Sequence, residues 1–344
     1  MNIEDLHIGI IGATGVVGQQ VMEIMESRGL LPKQLHLAAS KHSAGETRTY
    51  MGKDIEVEEL TKDFFGQVDI AIASAGSKVS EKFLTPELIH HTVIIDNCSF
   101  YRMDKDVPLV IPEVNGFELD RAPAKSIIAN PNCTTIGMLM ALGPIHQQLI
   151  VQQVVCSSYQ SVSGAGQKGI EELSSQVQSM FQTGDYRHHV FDHRIAFNCL
   201  PVIGALDEDG FSDEERKMDR ETKKILDDSI AVTSTCVRVP TFIGHGMSLH
   251  VKCEEEVDIN EVREILSNAP GVKLIDAPEQ NVYPILTDCQ GQDDVYVGRV
   301  RPGLDAHSFH LWVVSDNVRK GAALNAVQIL EHVITQPWFG PMVS

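Results

Sequence analysis

A chain of 344 residues is too long for one ordinary hydrophobic core, so we expect two domains that each bury a substantial apolar interior. The 28 Lys and Arg residues against 47 Asp and Glu residues give a net charge of -19, which repels phosphate backbones and anionic lipids and argues against nucleic-acid and membrane partners. The seven cysteines are widely spaced and lack a C-x-x-C pair, so we expect neither a disulfide framework nor a metal site.

The first residues, MNIEDLHIGI, carry acids where a signal peptide would carry basic residues. No apolar run approaches the roughly 18 residues that a membrane-spanning helix requires. With the reducing environment that the cysteines suggest, these features predict a cytoplasmic protein.

Strand-like and helical patterns alternate in the first third of the chain. Strand candidates lie at 7–12, 34–40, 68–74, 92–97, 107–112 and 126–130, and helical stretches at 15–29 and 78–90. Short continuous apolar runs separated by helices predict a parallel sheet covered on both faces, a Rossmann-like doubly wound α/β domain. The segment PNCTTIGMLMALGPIHQQL then predicts a long helix, so we place the end of the first domain at residue 130.

The rest of the chain, residues 131–317, is less regular. Strand-like runs at 150–162, 231–240, 246–254, 295–301 and 308–315 mix with helical runs at 166–182, 212–228 and 258–268. This mixture predicts an α+β domain with a mixed sheet. A helix predicted over 318–334 begins a segment, 318–344, that we expect to complete the first domain.

The segment GATGVVG places Gly12, Gly15 and Gly18 between the first strand and the first helix. Glycine lets the backbone turn sharply and approach a pyrophosphate, whose charge then faces the positive end of the helix. The spacing differs from the commoner G-x-G-x-x-G, and a glycine-rich turn without a nucleotide is the alternative. The position after the first strand of a βαβ unit favours dinucleotide binding.

The second strand ends in Ser40, Lys41, His42 and Ser43. A site for NAD usually has an Asp or Glu here against the ribose 2′-hydroxyl, whereas a hydroxyl and two potential cations suit a 2′-phosphate. The loop therefore favours NADP over NAD. The alternative is a polar surface loop with no role in binding.

Cys133 stands in NPNCTT, directly before the long helix. The positive end of a helix macrodipole lowers the pKa of a thiol, which makes Cys133 the best nucleophile candidate. The Asn-Pro-Asn turn distinguishes it from the other six, for which we expect buried packing: Cys98, Cys156, Cys199, Cys236, Cys253 and Cys289.

Two further clusters contain histidine. In CVRVPTFIGHG, Arg238 suits the bidentate capture of a carboxylate and His245 suits proton transfer, although each taken alone is more often structural. In RHHVFDHR, His189 and His193 have helical i, i+4 spacing, but the segment resembles a loop and the chemistry of Cys133 needs no metal. We therefore do not expect a metal there.

Six segments together resemble the bacterial aspartate-semialdehyde dehydrogenase family. They are GATGVVG, NPNCTTI, SSYQSVSGAG, EERKMDRETKKIL, TCVRVPTFIGHG and VSDNVRKGAALNAVQI, and they occur in the family's order over nearly the whole chain. The resemblance implies an NADP-dependent, phosphorylating oxidoreductase and a homodimer formed through the second, catalytic domain. It also implies a place in the biosynthesis of lysine and diaminopimelate, methionine, threonine and isoleucine.

The resemblance implies a role for each matching residue. Cys133 would be the nucleophile, His245 the general acid and base, and Gln160 a polar partner that orients the substrate. Arg238 would bind the α-carboxylate of the substrate and Glu214 its amino group. Arg102, Lys217 and Asn132 would line the phosphate pocket.

The cofactor stretches follow in the same way. The family's NADP-contacting positions fall on Thr14, Gly15, Val16, Val17, Ser40, Lys41, His42, Ser43, Ser74, Ala75, Ser163, Gly164 and Asn317. The family often reads RSAG after the second strand, and His42 replaces that Arg here, so the strength of 2′-phosphate recognition stays open.

The implied reaction is the reduction of L-aspartyl-4-phosphate to L-aspartate 4-semialdehyde and phosphate through a Cys133 thioester. The alternatives are an N-acetylglutamyl-phosphate reductase, a more distant glyceraldehyde-phosphate type dehydrogenase and an inactive paralogue. The reductase is not expected to combine Glu214-x-x-Lys217 with the RVP and GH segments. An inactive paralogue would be expected to lack Cys133.

Overall fold

The computed structural model describes residues 1–89, 92–182, 184 and 187–340. The chain divides into two units, of which unit 1 comprises Met1–Pro131 with Ala322–Ser344 and unit 2 comprises Asn132–Gly321. The chain thus returns to unit 1 at Ala322, four positions after the start of the segment predicted to complete the first domain. The last four residues of that segment lie outside the described residues.

Unit 1 is built on a seven-stranded sheet. Its strands are β1 (His7–Ile11), β2 (Gln34–Ala39), β3 (Thr47–Tyr50), β4 (Lys53–Glu59), β5 (Ile70–Ala73), β6 (Val93–Asp96) and β7 (Ile127–Ala129). Their order is β3-β4-β2-β1-β5-β6-β7, and each neighbouring pair is parallel except β3 with β4. The strands β5 and β6 are buried along their whole length, as expected where both faces of a parallel sheet are covered. The predicted doubly wound domain is confirmed.

One predicted helix and one predicted strand of unit 1 differ in the structure. The α-helices of this unit are α1 (Val16–Ser27), α2 (Ser77–Phe83), α3 (Pro86–Ile89), α4 (Pro112–Asn115) and a C-terminal helix over Leu324–Val333. The predicted helix at 78–90 is broken before Pro86, because a proline disfavours helical geometry in the residue that precedes it, and its last residue lies outside the described part of the chain. The predicted strand at 107–112 is wrong: it forms a single bridge from Leu109 to Ala129, and Pro112 starts a helix.

The core of unit 1 joins the sheet to the C-terminal helix. Ile8 and Ile72 of the sheet, Ile24 of α1, and Val327 and Leu330 of the C-terminal helix belong to one buried hydrophobic cluster. The last helix of the chain therefore stabilises the fold at its first strands.

Unit 2 is built on a six-stranded mixed sheet. Its strands are β8 (Val151–Gln160), β9 (Ala231–Arg238), β10 (His245–Cys253), β11 (Val272–Leu274), β12 (Val295–Pro302) and β13 (Ser308–Ser315), in the order β11-β12-β13-β10-β8-β9. The pairs β8–β9 and β11–β12 are parallel and the others antiparallel. The predicted mixed sheet is confirmed.

The helices of unit 2 are α5 (Cys133–Leu149), α6 (Gln167–Gln182), α7 (Asp213–Ile225) and α8 (Ile259–Asn268), and the C-terminal helix of unit 1 is α9. A π-helical turn over Arg319–Ala323 precedes α9, where the sequence predicted one helix from residue 318. Helix α5 packs on β8, β10 and β13, and α7 packs on β9. In the part of the chain that the structure describes, no helix is both long and apolar enough to span a bilayer.

Candidate active site

The turn between β1 and α1 is shaped by two glycines. Gly12 has a φ of 84°, and a Cβ there would lie 2.4 Å from the Ser74 carbonyl oxygen. A Cβ on Gly18 would lie 2.3 Å from the Gly12 carbonyl oxygen. Gly15 is the N-cap of α1 and has no side chain that could cap the first N–H groups. The helix therefore presents its positive end to an anion, and the cradle fits a pyrophosphate.

A cleft of about 430 Å³ opens beside this turn. It is lined by Ile11, Gly12, Thr14, Gly15, Ala39, Ser40, Lys41, Glu59, Leu60, Ser74, Ala75, Val79, Lys82 and Phe83. The lining includes seven of the predicted cofactor residues but not Val16, Val17, Gly18, His42 or Ser43. Gly18 instead allows α1 to approach the turn. The sequence analysis did not identify Glu59, the last residue of β4, or Lys82 of α2, because their approach to the cleft depends on the packing of these elements and leaves no local sequence signal.

Cys133 is the first residue of α5 in unit 2 and is half-buried. Asn132 caps the helix, and its Oδ1 accepts hydrogen bonds from the N–H groups of Thr134 at 3.0 Å and Thr135 at 3.2 Å. The capped turn places the thiol at the positive end of a 17-residue helix.

The prediction for the other cysteines was partly wrong. Cys199 is exposed and Cys98 is half-buried, whereas the remaining four are buried. Cys199 lies in the irregular segment between α6 and α7, where no regular element covers it. Burial raises the pKa of Cys98 to about 11 and that of Cys236 to about 12.

Three predicted site residues lie in a row across the sheet of unit 2. Gln160 ends β8, Arg238 ends β9 and His245 begins β10, and the strand register pairs Gln160 with both of the others. Their relative exposures are 1%, 7% and 0%. Residues that are 85 positions apart in sequence, such as Gln160 and His245, are therefore neighbours at one edge of the sheet.

A buried carboxylate connects this row to the helix that carries the thiol. Glu214 Oε1 accepts hydrogen bonds from Gln160 Nε2 at 3.0 Å and from Asn132 Nδ2 at 2.9 Å. Its Oε2 lies 3.2 Å from Nζ of Lys217. Burial by itself would raise the pKa of Glu214, but the charge of Lys217 and the two amide donors outweigh it and lower the pKa to about 2. The carboxylate is therefore ionised at neutral pH.

The guanidinium of Arg238 packs against the turn that follows β8. Its Nη1 donates a hydrogen bond to the Ser161 carbonyl oxygen at 2.7 Å. Burial lowers the pKa of Arg238, and the negative charges of Glu214 and Cys133 oppose this shift. A Cβ on Gly164 would lie 2.7 Å from this Nη1, so a glycine at this position makes room for the cation.

His245 is fully buried and its two ring nitrogens differ. Nδ1 accepts a hydrogen bond from the Ser161 N–H at 3.2 Å, which leaves the proton of a neutral ring on Nε2. Nε2 has no hydrogen-bond partner among the described residues. Burial, followed by the charge of Arg238, lowers the pKa of His245 to about 3. The ring is therefore neutral and presents an N–H donor.

Two predicted cofactor residues, Ser163 and Asn317, belong to a buried network beside His245. Asn317 Oδ1 accepts hydrogen bonds from Ser161 Oγ at 3.1 Å, from Ser163 Oγ at 3.2 Å and from the Gly244 N–H at 2.9 Å. The network holds both turns that flank His245.

The matches to known families cover most of the chain. The model described as "Semialdehyde dehydrogenase, NAD binding domain" matches residues 7–122, and "Semialdehyde dehydrogenase, dimerisation domain" matches residues 142–320. The chain belongs to the semialdehyde dehydrogenase family. It is therefore an oxidoreductase, and its Rossmann-like unit is a nicotinamide-dinucleotide-binding domain.

Individual members of the semialdehyde dehydrogenase family are similar over nearly the whole chain. The aspartate-semialdehyde dehydrogenase of Aquifex aeolicus is 45% identical over 339 residues, which cover 96% of this chain and 98% of the relative. That of Bacillus subtilis is 43% identical over 341 residues, covering 95% and 96%. The crystal structure of aspartate semialdehyde dehydrogenase II from Vibrio cholerae, complexed with ASA, is 40% identical, with a TM-score of 0.93 over 97% of this chain and 99% of that one.

Arg102 lies in unit 1 of this semialdehyde dehydrogenase and is mostly buried. Its Nε donates to the Asn130 carbonyl oxygen at 2.9 Å, and its Nη2 donates to the Asn97 carbonyl oxygen at 2.7 Å. These carbonyls follow β7 and β6. The Arg102 side chain thus connects the ends of β6 and β7, a contact that the sequence did not predict.

The second histidine cluster, with His189 and His193, lies in the irregular segment between α6 and α7. In residues 1–89, 92–182, 184 and 187–340 the structure contains no group of three or more His, Cys, Asp or Glu residues placed to hold a metal ion. Glu172 of α6 accepts the N–H groups of His189 and Val190, both at 2.6 Å. This carboxylate holds the segment on α6.

Proposed function

We propose that this semialdehyde dehydrogenase is an NADP-dependent aspartate-semialdehyde dehydrogenase. It would reduce L-aspartyl-4-phosphate to L-aspartate 4-semialdehyde and phosphate, in the cytoplasm, as a step of the pathway to lysine and diaminopimelate, methionine, threonine and isoleucine. The observation that carries the proposal is the row of Gln160, Arg238 and His245, joined through Glu214 to the capped turn before Cys133. The names of the relatives support it.

In this mechanism the thiolate of Cys133 attacks the acyl carbon of the aspartyl phosphate. The C–S bond forms, the C–O bond to phosphate breaks, and phosphate leaves with the bonding electrons. The positive end of the α5 macrodipole, where Cys133 is the first residue, is suited to stabilise the oxyanion that develops on the acyl oxygen. The product of this half-reaction is a thioester on Cys133.

The cradle and cleft of unit 1 fit the pyrophosphate and nucleoside of the cofactor, which supplies the hydride that converts the thioester to a thiohemiacetal. Nε2–H of His245 is suited to donate a hydrogen bond to the substrate oxygen throughout. Hydride addition leaves an oxyanion on the thiohemiacetal. When this anion collapses, the C=O bond re-forms, the C–S bond breaks with its electrons going to sulfur, and the thiolate of Cys133 is restored without a net proton transfer. We assign to His245 the stabilisation of this oxyanion through Nε2–H; the general acid and base role that the resemblance implies would need an unprotonated Nε2, which the hydrogen bond from the Ser161 N–H to Nδ1 disfavours.

Two anionic groups of the reactants need separate cations. We assign the α-carboxylate to Arg238 and the phosphate to Lys217 and Arg102, with Asn132 beside the phosphate. Glu214 would bind the substrate's amino group through its ionised carboxylate, and Gln160 would orient the acyl group. Lys217 suits a transient anion because its side chain is 34% exposed and one carboxylate partially compensates its charge.

Substitutions should distinguish the binding of phosphate from the binding of the α-carboxylate. In the oxidative direction we expect Lys217→Met to raise the KM for phosphate roughly ten- to hundredfold and Arg238→Leu to raise the KM for the semialdehyde by a similar factor, because each loses a charge-assisted contact. Steady-state kinetics with one reactant varied at a time measures both. An unchanged phosphate KM in Lys217→Met would rule out the assignment.

Arg102 requires a milder substitution in this experiment. Because its guanidinium binds two backbone carbonyls, Arg102→Leu would leave buried acceptors unpaired and destabilise unit 1. Arg102→Lys keeps the positive charge. Its thermal unfolding midpoint, measured together with its KM for phosphate, separates a loss of stability from a loss of phosphate affinity.

The cofactor preference should depend on the loop after β2. We expect Ser40→Ala and Lys41→Ala each to weaken NADP binding more than NAD binding, and His42→Arg to tighten NADP binding about tenfold, because a guanidinium charge is permanent and forms bidentate contacts. Titration of each variant with both cofactors measures the ratio. Val79→Leu, in the same cleft, serves as a control for general changes of shape. Equal efficiency of the unaltered enzyme with NAD would contradict the proposal.

We further propose a homodimer formed through the sheet of unit 2. Alternate side chains of β8, among them Val155 and Tyr159, are exposed on the face opposite α5, and the Tyr159 and Trp312 rings lie 5.7 Å apart there. The family description of residues 142–320 as a dimerisation domain supports the assignment of the interface to unit 2. Sedimentation at micromolar concentration tests the assembly.

The activity itself is tested by following reduced cofactor in a mixture of L-aspartate 4-semialdehyde, phosphate and NADP. We expect turnover that requires all three components. A parallel assay with N-acetylglutamate semialdehyde distinguishes the related acyl-phosphate reductase, and faster turnover there would overturn the substrate assignment.

A further inference from the structure

The residue before Cys133 is held at two points by one helix. Asn132 donates its backbone N–H to Oε2 of Glu221 at 2.6 Å and its Nδ2 to Oε1 of Glu214 at 2.9 Å. Glu214 and Glu221 are seven positions apart on α7, which is about two turns, so their carboxylates lie on the same face. Glu221 is 1% exposed. Helix α7 therefore fixes both the backbone and the side chain of Asn132.

Asn132 in turn determines where α5 begins. Its Oδ1 accepts the N–H groups of Thr134 and Thr135 in the first turn of α5, and Cys133 is the first residue of that turn. A displacement of Asn132 would move the thiol of Cys133 together with the N–H groups at the start of the helix.

We propose that Glu221 is a positioning residue for Cys133. Through the backbone N–H of Asn132, its carboxylate holds the thiol and the first turn of α5 in their reactive arrangement. A buried carboxylate is suited to this place because the positive end of the α5 macrodipole stabilises a negative charge. The inference rests on the proposed function, in which Cys133 is the nucleophile.

Two substitutions separate the geometry from the charge. Glu221→Gln keeps an oxygen that can accept the Asn132 N–H but removes the negative charge, whereas Glu221→Ala removes both. The charge of Glu221 opposes ionisation of a nearby thiol, so its loss in Glu221→Gln should favour the thiolate.

The experiment measures alkylation of Cys133 by iodoacetamide against pH, resolved by peptide mass spectrometry, together with kcat and both KM values of the full chain. We expect Glu221→Ala to lower kcat about ten- to hundredfold with little change in KM, because small displacements of a nucleophile cost rates of this order. Glu221→Gln should recover most of kcat and shift the alkylation profile of Cys133 to lower pH.

The matched control is Glu215→Gln. Glu215 is a buried carboxylate on the same helix that accepts the N–H groups of Ser212 at 2.7 Å and Cys236 at 3.0 Å. These two hydrogen bonds do not involve Asn132. We expect this variant to leave the alkylation profile of Cys133 unchanged. A profile in Glu215→Gln that shifts as much as in Glu221→Gln would overturn the proposal, as would unchanged kcat and alkylation in Glu221→Ala.

Alkylation requires neither substrate nor cofactor. If the substrate is assigned wrongly, turnover is absent in every variant and in the unaltered protein, and the alkylation profiles alone decide whether Glu221 positions Cys133. If Glu221→Ala does not fold, the comparison of Glu221→Gln with Glu215→Gln decides.

Discussion

We expect Cys133→Ala to lower kcat at least about a thousandfold while the affinity for NADP is retained. The thiol forms the bond to the acyl carbon, so its loss removes the thioester path. The cofactor cradle is formed by Gly12 and Gly18 of unit 1, which this substitution does not touch. Initial rates in the oxidative assay and a fluorescence titration with NADP measure the two effects separately.

Cys199→Ser is the control for this result, because Cys199 is an exposed cysteine to which the proposed mechanism gives no role. Its activity should equal that of the unaltered protein. Alkylation should label Cys133 before the buried cysteines, since burial raises the pKa of Cys253 to about 11 and that of Cys289 to about 12. If Cys133→Ala or Cys133→Ser keeps a tenth of the activity, Cys133 is not the covalent nucleophile.

The second large effect is expected at His245. His245→Ala should lower kcat about 10²- to 10³-fold, because the oxyanion on the substrate loses its hydrogen-bond donor. His245→Gln, which keeps an N–H donor, should recover part of the loss. His189→Ala removes an exposed imidazole outside the row and should have no effect. Activity in His245→Ala within tenfold of the unaltered protein would contradict the role.

The pH dependence of the free enzyme provides an independent test of His245. Because burial and the charge of Arg238 lower its pKa to about 3, the imidazole stays neutral throughout the range from pH 5 to 8. We therefore expect the pH profile of kcat/KM to show no change of slope due to His245 near pH 6.5, the ordinary pKa of histidine. A change of slope there that is present in the unaltered enzyme and absent from His245→Gln would show that the ring is solvated and charged.

The same pKa shift has a consequence for stability. The unfolded chain protonates His245 below pH 6.5, whereas the folded protein does so only near pH 3, so the unfolded state binds more protons within this window. The free energy of unfolding therefore falls as the pH drops from 6.5 towards 3. The lowered pKa of Glu214, about 2, acts in the same direction at lower pH. Denaturant titrations at several pH values should show a smaller loss for His245→Gln.

Local chemistry in the sequence determined the parts of this protein that depend on few neighbouring residues. The glycines of GATGVVG predict the tight turn, because steric exclusion of a Cβ acts within that turn and its nearest strand. The Asn-Pro-Asn turn before Cys133 indicates where α5 begins, and the structure shows the local reason, because the Asn132 cap bonds to residues only two and three positions ahead. Apolar runs separated by helical periods predict the parallel sheet of unit 1.

Only the tertiary structure decided how distant residues meet. The row of Gln160, Arg238 and His245 depends on strand register, which no local pattern contains. The contact of Glu221 with the Asn132 backbone depends on how α7 packs beside α5. The neutral state of His245 follows from burial and from Arg238, since an imidazole in water titrates near 6.5. Register, packing and desolvation are properties of the whole folded chain, so residue types and spacing could indicate the chemistry of the site but not its geometry or its charge state.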